Sequence, residues 1–268
     1  MESTAHCDIF TIRKTHSLSA KHLFLVLLAA LTTLSGELGA QALGGMSGAF
    51  NSPTAEMMDD GTLALGAHFM DRRYGAYRYR KDAAFEYHAL ATFATASVLP
   101  WLEAQFRYTH LLGREISPQT SYFPDRMVSL RVRLLREKGG WMPSLVLGAE
   151  DLAALLGSSS PSYYASHYLV ASKRLATGSW RGVLSVGYGS DVVFPWMEGR
   201  PERLMQDGLF ASASLSHSAW PAGSLLVEYD SRRVNLAARL VFFEQLQILA
   251  GLYAFRGFGG GISWRIPL

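Results

Sequence analysis

From Leu102 onward, apolar and polar residues alternate with a period of two. Leu102, Ala104, Phe106 and Tyr108 fall on one side of an extended chain, and Glu103, Gln105, Arg107 and Thr109 on the other. That is the pattern of a β-strand with one apolar and one wet face. It recurs as Val128, Leu130, Val132 and Leu134 against Ser129, Arg131 and Arg133, and as Leu209, Ala211, Ala213 and Leu215 against Phe210, Ser212, Ser214 and Ser216. Leu225, Val227 and Tyr229 oppose Leu226, Glu228 and Asp230. Val234, Leu236, Ala238, Leu240 and Phe242 oppose Asn235, Ala237, Arg239 and Val241, and Phe258, Gly260, Ile262, Trp264 and Ile266 oppose Gly259, Gly261, Ser263 and Arg265. Weaker segments at 62–71, 84–97, 143–151, 166–174, 181–188 and 246–255 bring the count to about twelve. Charges at every second position argue against the dry core of a sandwich.

An even number of strands, most near ten residues, suits a closed antiparallel barrel that crosses a bilayer, because about 9–11 tilted residues span the hydrocarbon. Connection lengths support the same reading. Residues 72–83, 110–125, 152–165 and 189–208 are long, whereas the turns at Leu99-Pro100, Lys138-Gly139-Gly140-Trp141, Ala176-Thr177-Gly178-Ser179 and Ser218-Ala219-Trp220-Pro221 are short. Long outer loops alternating with short periplasmic turns characterise bacterial outer-membrane barrels. The last three connections, at Asp230-Ser231-Arg232, Phe243-Glu244-Gln245 and Arg256-Gly257, are all short. Phe69, Tyr87, Trp101, Tyr168, Trp180, Tyr229, Phe255 and Trp264 lie near strand ends, where they fit interfacial aromatic girdles as well as simple packing. The chain ends Trp264-Arg265-Ile266-Pro267-Leu268, without the terminal aromatic that would strengthen its recognition by the barrel-assembly machinery.

The N-terminus carries a different signal. Arg13, Lys14 and Lys21 precede an apolar run over 23–31 that continues to Leu34, and Ala40-Gln41-Ala42 supplies small residues around a processing point. That reads as a secretory signal peptide over 1–42; the apolar core, roughly 12 residues, is shorter than the ~20 a membrane-spanning helix needs. The mature domain is then 43–268, with 43–60 either periplasmic or threaded into the barrel as a plug.

Composition narrows the classes. The 268 residues are 49% hydrophobic and 18% charged, enough apolar surface for a folded chain. A net charge of +3, dispersed along the sequence, offers no basic stripe for nucleic acid. The single cysteine, Cys7, lies ahead of the apolar run, which excludes a disulfide framework and a thiolate metal cage.

Several stretches then resemble a known family. Phe123-Pro124-Asp125-Arg126, the strand 128–135, Trp141-Met142-Pro143-Ser144-Leu145-Val146-Leu147-Gly148-Ala149-Glu150-Asp151, and Tyr168-Leu169-Val170-Ala171-Ser172-Lys173-Arg174 follow one another as in the YjbH family of outer-membrane exopolysaccharide proteins. Gly45-Met46-Ser47-Gly48, Ser52-Pro53-Thr54-Ala55 and Asp60-Gly61-Thr62-Leu63 resemble its N-terminal segment. The resemblance covers 44–190. Typical members are much longer, and their glycine-rich stretch after the Asp151 position is replaced here by 152–156 and Ser158-Ser159-Ser160-Pro161, so this chain looks like a short, single-barrel relative. The resemblance implies a role in capsule-like or biofilm polysaccharide production or export. It implies no catalytic residue.

Candidate chemistry is sparse. Gly257-Phe258-Gly259-Gly260-Gly261 lacks the following helix that a phosphate loop requires and reads as strand glycines that ease curvature. Asp59-Asp60-Gly61 reads as a turn, and Glu150-Asp151 as a solvated strand end. Ser216-His217-Ser218 and His167 raise a lipid or glycan hydrolase as an alternative, but neighbouring strand residues face opposite ways and no Gly-x-Ser-x-Gly or His-Glu-x-x-His occurs. Glu103, Arg107, Arg131, Arg133, Glu228, Arg239 and Arg265 fall on faces assigned to the lumen. There they would form an electrostatic ladder closing a small barrel or, less simply, bind a polyanionic glycan.

The expectation is an all-β, antiparallel up-and-down transmembrane barrel of about twelve strands in the outer membrane, without enzymatic activity, cofactor or metal. Its expected partners are outer-membrane lipid, the barrel-assembly machinery, and polysaccharide with other export components. A small-solute porin is the further alternative, one that requires an open lumen.

Overall fold

The computed structural model describes residues 39–74, 87–113, 125–152, 165–190 and 206–268. Among the described residues twelve strands run in chain order: β1 (Thr62–Met70), β2 (Ala89–Leu99), β3 (Leu102–Leu111), β4 (Asp125–Leu135), β5 (Ser144–Glu150), β6 (Ser166–Thr177), β7 (Trp180–Ser190), β8 (Gly208–His217), β9 (Trp220–Tyr229), β10 (Val234–Phe242), β11 (Leu246–Tyr253) and β12 (Gly257–Pro267). Each pairs antiparallel with the next, and β12 returns to β1 through Thr62↔Pro267 to Met70↔Gly259. Closure removes every sheet edge, so each strand finds backbone partners on both sides. A structure in hydrocarbon must meet that condition.

The period-two pattern becomes geometry here. In β3, Glu103, Gln105, Arg107 and Thr109 are buried while Phe106 and Tyr108 are exposed. Leu65, Leu147, Leu169, Leu184, Val186, Leu209, Leu225, Val227, Leu236 and Ile262 also face outward and are exposed. The barrel is therefore apolar outside and largely polar inside, the reverse of a water-soluble fold. The strand ends differ from the sequence reading by a few residues: β2 starts at Ala89 rather than 84, and β6 runs on to Thr177. The four long connections lie mostly outside the described residues.

What fills the interior comes from before β1. Leu43, Ala49 and Phe50 pack with Met70, Ala91, Leu226, Ala237 and Leu249 in one apolar cluster, and Ala55 and Met57 pack with Val146, Tyr168, Val170 and Phe210 in another. Residues 40–58 are almost continuously buried. The barrel wall makes room with glycine: side chains placed at Gly259 or Gly261 would collide with Leu43 and His68 respectively. Those β12 glycines clear space for what lies inside, a more specific role than easing curvature.

Inward aromatics use the same device across strands. Phe93 lies over Gly66, Tyr168 over Gly148 and Phe210 over Gly187, each pair directly opposite in the sheet, and a Cβ on any of the three glycines would sit within 2.4 Å of the ring. Tyr168 is thus a correction. It does not belong to an outer girdle but is 1% exposed within the lumen, because β6 turns Ser166, Tyr168, Val170 and Ser172 inward toward Ala55 and Met57. Trp101, Trp180, Tyr229, Phe255 and Trp264 do face outward.

Candidate functional site in the barrel lumen

The segment 39–60 has little regular structure of its own. Its turns are held by Ala42 N–H to Met46 O at 2.8 Å, Leu43 N–H to Phe50 O at 2.6 Å and Ala49 N–H to Ser52 O at 2.9 Å. Irregular backbone inside a barrel still exposes amides and carbonyls that must be satisfied. The inward charges of the wall supply the partners.

Glu228 on β9 is the clearest case. Its carboxylate accepts from the backbone amides of Phe50 (3.1 Å), Asn51 (2.8 Å) and Ser52 (2.9 Å), and from Asn235 Nδ2 (2.8 Å). Three successive amides converging on one anion form a nest, here contributed by the inserted segment with the anion coming from the wall. Asp230 extends the network by accepting from Asn51 Nδ2 and Asn235 Nδ2 at 3.1 and 2.9 Å.

Opposite, Glu103 on β3 and Arg131 on β4 form an ion pair at 3.2 Å with both side chains fully buried. Glu103 also accepts from Ser47 N–H (3.0 Å) and Ser47 Oγ (2.7 Å), while Arg131 donates to Ser47 O (2.6 Å) and to Thr54 O. Taking two charges out of water is costly unless their remaining donors and acceptors are met. Ser47 and Thr54 meet several of them.

The other charges follow suit. Arg239 donates to the carbonyls of Gly48 and Ala49 at 2.7 and 2.5 Å. Arg265 reaches Gln41 Oε1 at 3.5 Å and Gln247 Oε1 at 3.4 Å. Arg107 is buried beside Gly44, where a Cβ would come within 3.1 Å of its guanidinium, and it donates to Met127 Sδ at 3.3 Å. Arg133 is only half-buried and donates to Pro100 O at 2.7 Å, at the short-turn end. Of the seven residues singled out from the sequence, six thus lie against the inserted segment, and Arg133 alone stays at the rim.

Sequence reasoning missed the neutral partners. Gln247 and Gln41 exchange two bonds (3.0 and 2.8 Å), Thr95 Oγ1 donates to Gly45 O (2.8 Å), Ser172 Oγ accepts from Ala55 N–H (2.7 Å), and His68 Nδ1 meets Leu43 O (3.1 Å). The wall residues among them lie on β1, β2, β6 and β11, whose weaker sequence patterns assigned no inward face, and what they would meet was not legible either. Gln41 lies before the expected cleavage point, so cleavage after Ala42 would remove it from Gln247 and Arg265. At Gly45 the backbone takes φ +94°, and a Cβ would enter the Phe93 ring, so only glycine fits that turn.

At the short-turn end, Glu137, which follows β4, pairs with Lys173 near the end of β6 and accepts from Arg174 N–H, while Arg174 pairs with Glu56 of the inserted segment. Partial burial by itself would raise the Glu137 carboxyl. The bonds from Lys173 and Arg174 and their positive charges outweigh it and hold the group below the usual carboxylate range.

No arrangement for nucleophilic catalysis is assembled from the histidines and serines weighed above. His217 packs on Trp180 with ring centroids 4.6 Å apart and accepts from Ala219 N–H at 3.1 Å, at the β8–β9 turn. His167 pairs with Ser190 at the opposite end of β6 from the Thr177↔Trp180 pair. The two histidines therefore sit at opposite mouths. Among the described residues no group of three or more His, Cys, Asp or Glu is placed to hold a metal.

Residues 41–193 match the sequence model of the YjbH family, described as exopolysaccharide biosynthesis protein YbjH. The chain is 28% identical over 189 residues to the uncharacterized lipoprotein YjbH of Escherichia coli strain K12, an alignment that takes in 66% of this chain and 23% of that protein. The chain accordingly spans about a quarter of that relative's length. Among solved structures, a de novo designed transmembrane β-barrel aligns over 78% of this chain and 98% of its own at 10% identity and a TM-score of 0.24. The OccK11 (OpdR) protein of Pseudomonas aeruginosa aligns over 78% of this chain and 67% of its own at 12% identity and the same score. Both superpose loosely, and the barrel stands on its own strand pairing. With the family match covering more than half of the sequence, the protein belongs to the YjbH family of exopolysaccharide biosynthesis proteins.

Proposed function

We propose that this protein is a non-enzymatic outer-membrane barrel that serves exopolysaccharide production or export as a plugged accessory or scaffold rather than as an open conduit. The observation that carries the reading is the inserted segment 40–58, packed through the lumen and bound at its backbone by Glu103, Arg131, Glu228 and Arg239. An apolar outer wall about ten residues tall supports the membrane location. The expected surroundings are outer-membrane lipid, with insertion by the barrel-assembly machinery and contact to other export components.

The filled lumen counts against a small-solute porin, and the separation of His167 from Ser216, His217 and Ser218 counts against a hydrolase. Two measurements test the proposal together. Deleting the gene should reduce surface polysaccharide while the protein fractionates with the outer membrane and shifts mobility on boiling. The purified barrel should be electrically silent in a planar bilayer. Unchanged polysaccharide in the deletion strain, or stepwise ionic conductance of the unmodified barrel, overturns it.

A further inference from the structure

The plug does not fill the lumen evenly. Against β7 to β10 it leaves a cavity of about 140 Å³, bounded on one side by Gly48, Ala49 and Thr54 and on the other by the inward faces of the wall. A closed apolar cavity of about 150 Å³ holds a benzene-sized ring, so this open-mouthed one limits its occupant to a single ring. The lining selects which kind. Ser185, Ser212, Ser214, Ser216 and Ser224 all face it, and the hydroxyls of Ser212, Ser214 and Ser224 have no hydrogen-bond partner among the described residues. An apolar ring would strand them, whereas a ring carrying its own hydroxyls would satisfy them.

Two guanidiniums border the same space. Arg239 lies deep, with its Nη2 spent on Gly48 and Ala49 and its buried Nε without a hydrogen-bond partner among the described residues. Arg181 stands exposed at the mouth and takes no ion-pair partner among the described residues. The acidic groups at the cavity are Glu56, already paired with Arg174, and Glu244 at the rim. The β10–β11 turn places Phe243 and Glu244 there in left-handed backbone, φ +53° and +60°, with Phe243 exposed. The hairpin turn thereby presents an aromatic ring and a carboxylate at the cavity mouth.

From this geometry we infer that the cavity binds a hexuronate residue, a pyranose ring bearing a carboxylate, entering from the short-turn end. The ring occupies the serine-lined space, its carboxylate meets Arg181, Glu244 accepts a ring hydroxyl, and Phe243 covers the apolar ring face. The inference deepens the preceding functional reading by naming the sugar class, and its ligand chemistry rests on the lining alone. By the orientation usual for such barrels, the short-turn end faces the periplasm, so the glycan is met before it leaves the cell.

The test is calorimetric titration of the full chain in detergent micelles with a hexuronate trisaccharide and, separately, a neutral glucose trisaccharide. Saturable binding of the hexuronate, at least ten-fold tighter than the neutral sugar, is expected. Arg181→Ala should weaken the hexuronate about ten-fold and leave the neutral sugar unchanged, and Ser214→Leu, which fills the cavity, should abolish both. Boiling-dependent gel mobility checks that each variant is folded, and Ser212→Val replaces Ser214→Leu if that variant is not. Absence of saturable hexuronate binding, equal binding of the two sugars, or unchanged binding in a folded cavity-filled variant each overturns the inference. Loss of the proposed function is distinguishable: hexuronate binding by a protein whose deletion leaves surface polysaccharide intact removes the export role and leaves the site, while the converse removes the site alone.

Discussion

The lining of this barrel has two dissimilar kinds of position. Along β3, β4 and β9 the wall presents Glu103, Arg131 and Glu228, fully buried and each bonded to backbone of the inserted segment. Along β7 and β8 it presents Ser185, Ser212, Ser214 and Ser216, which stop short of that segment and leave open space. Charge at the first kind of position locks, and small hydroxyls at the second leave room. A long charged side chain can reach across a lumen to satisfy an irregular backbone, and once buried it has to. Serine neither reaches so far nor incurs so much if water or a ligand supplies its partner.

Removing an anchor from the locked positions should have the largest effect. Glu228→Ala leaves three amides of the inserted segment without an acceptor, at about 3–5 kcal/mol in total. Two consequences are measurable: a lower denaturant midpoint for the barrel in micelles, and the appearance of ionic conductance in planar bilayers as the segment detaches. A midpoint and conductance equal to wild type would show that apolar packing alone retains the plug.

Next comes the Glu103–Arg131 pair. Each single change, Glu103→Gln or Arg131→Met, strands a buried partner and should cost about 3 kcal/mol, whereas the double variant should cost clearly less than the sum. A double-mutant cycle by chemical denaturation checks this, and strict additivity would mean that the two side chains act only through Ser47 and Thr54.

The open positions should respond in the other direction. Replacing Phe243-Glu244 by Asn-Gly puts residues suited to left-handed backbone into the β10–β11 turn, and should stabilise the barrel by about 1 kcal/mol while weakening hexuronate binding. A variant that gains stability with full binding would uncouple the strained turn from the cavity. The smallest effect is expected at the rim. Because the Glu137 carboxyl is held below its ordinary value of 4.5, its contribution is present at neutral pH and is lost as pH falls below that value toward its folded-state pKa. Being a surface pair, it is worth about 0–1 kcal/mol. Glu137→Gln should therefore flatten the acid limb of the stability–pH curve slightly, and an unchanged limb would assign no stability to the pair.

Much of the architecture is legible in the amino-acid sequence. The alternation in β3, β4, β8, β9, β10 and β12 assigns residues to one face or the other, since a one-residue slip would invert an entire face, and Glu103, Arg131, Glu228 and Arg265 are buried. The aromatics are harder. Tyr168 sits on a strand apolar on both faces, so period two alone cannot tell a girdle residue from a core one; the glycine opposite it, Gly148, becomes a signal only once β5 and β6 are known to pair.

The inserted segment escapes the sequence for a related reason. Residues 39–60 follow no period, and a chain with neither helical nor strand spacing is read equally well as a periplasmic tail or a plug. Its place is decided by bonds between residues far apart in sequence, such as Gln41 with Gln247 and Asn51 with Glu228. The same holds for the serine-lined cavity, which exists because residues from β7, β8, β9 and β10 and from the plug meet around space that no single strand encloses. The sequence by itself determined the strand number, the faces of the strongly alternating strands and the apolar exterior, since those follow from local spacing. Only the tertiary structure decided what the inward charges hold and where the lumen stays open, because both depend on which distant residues closure brings together.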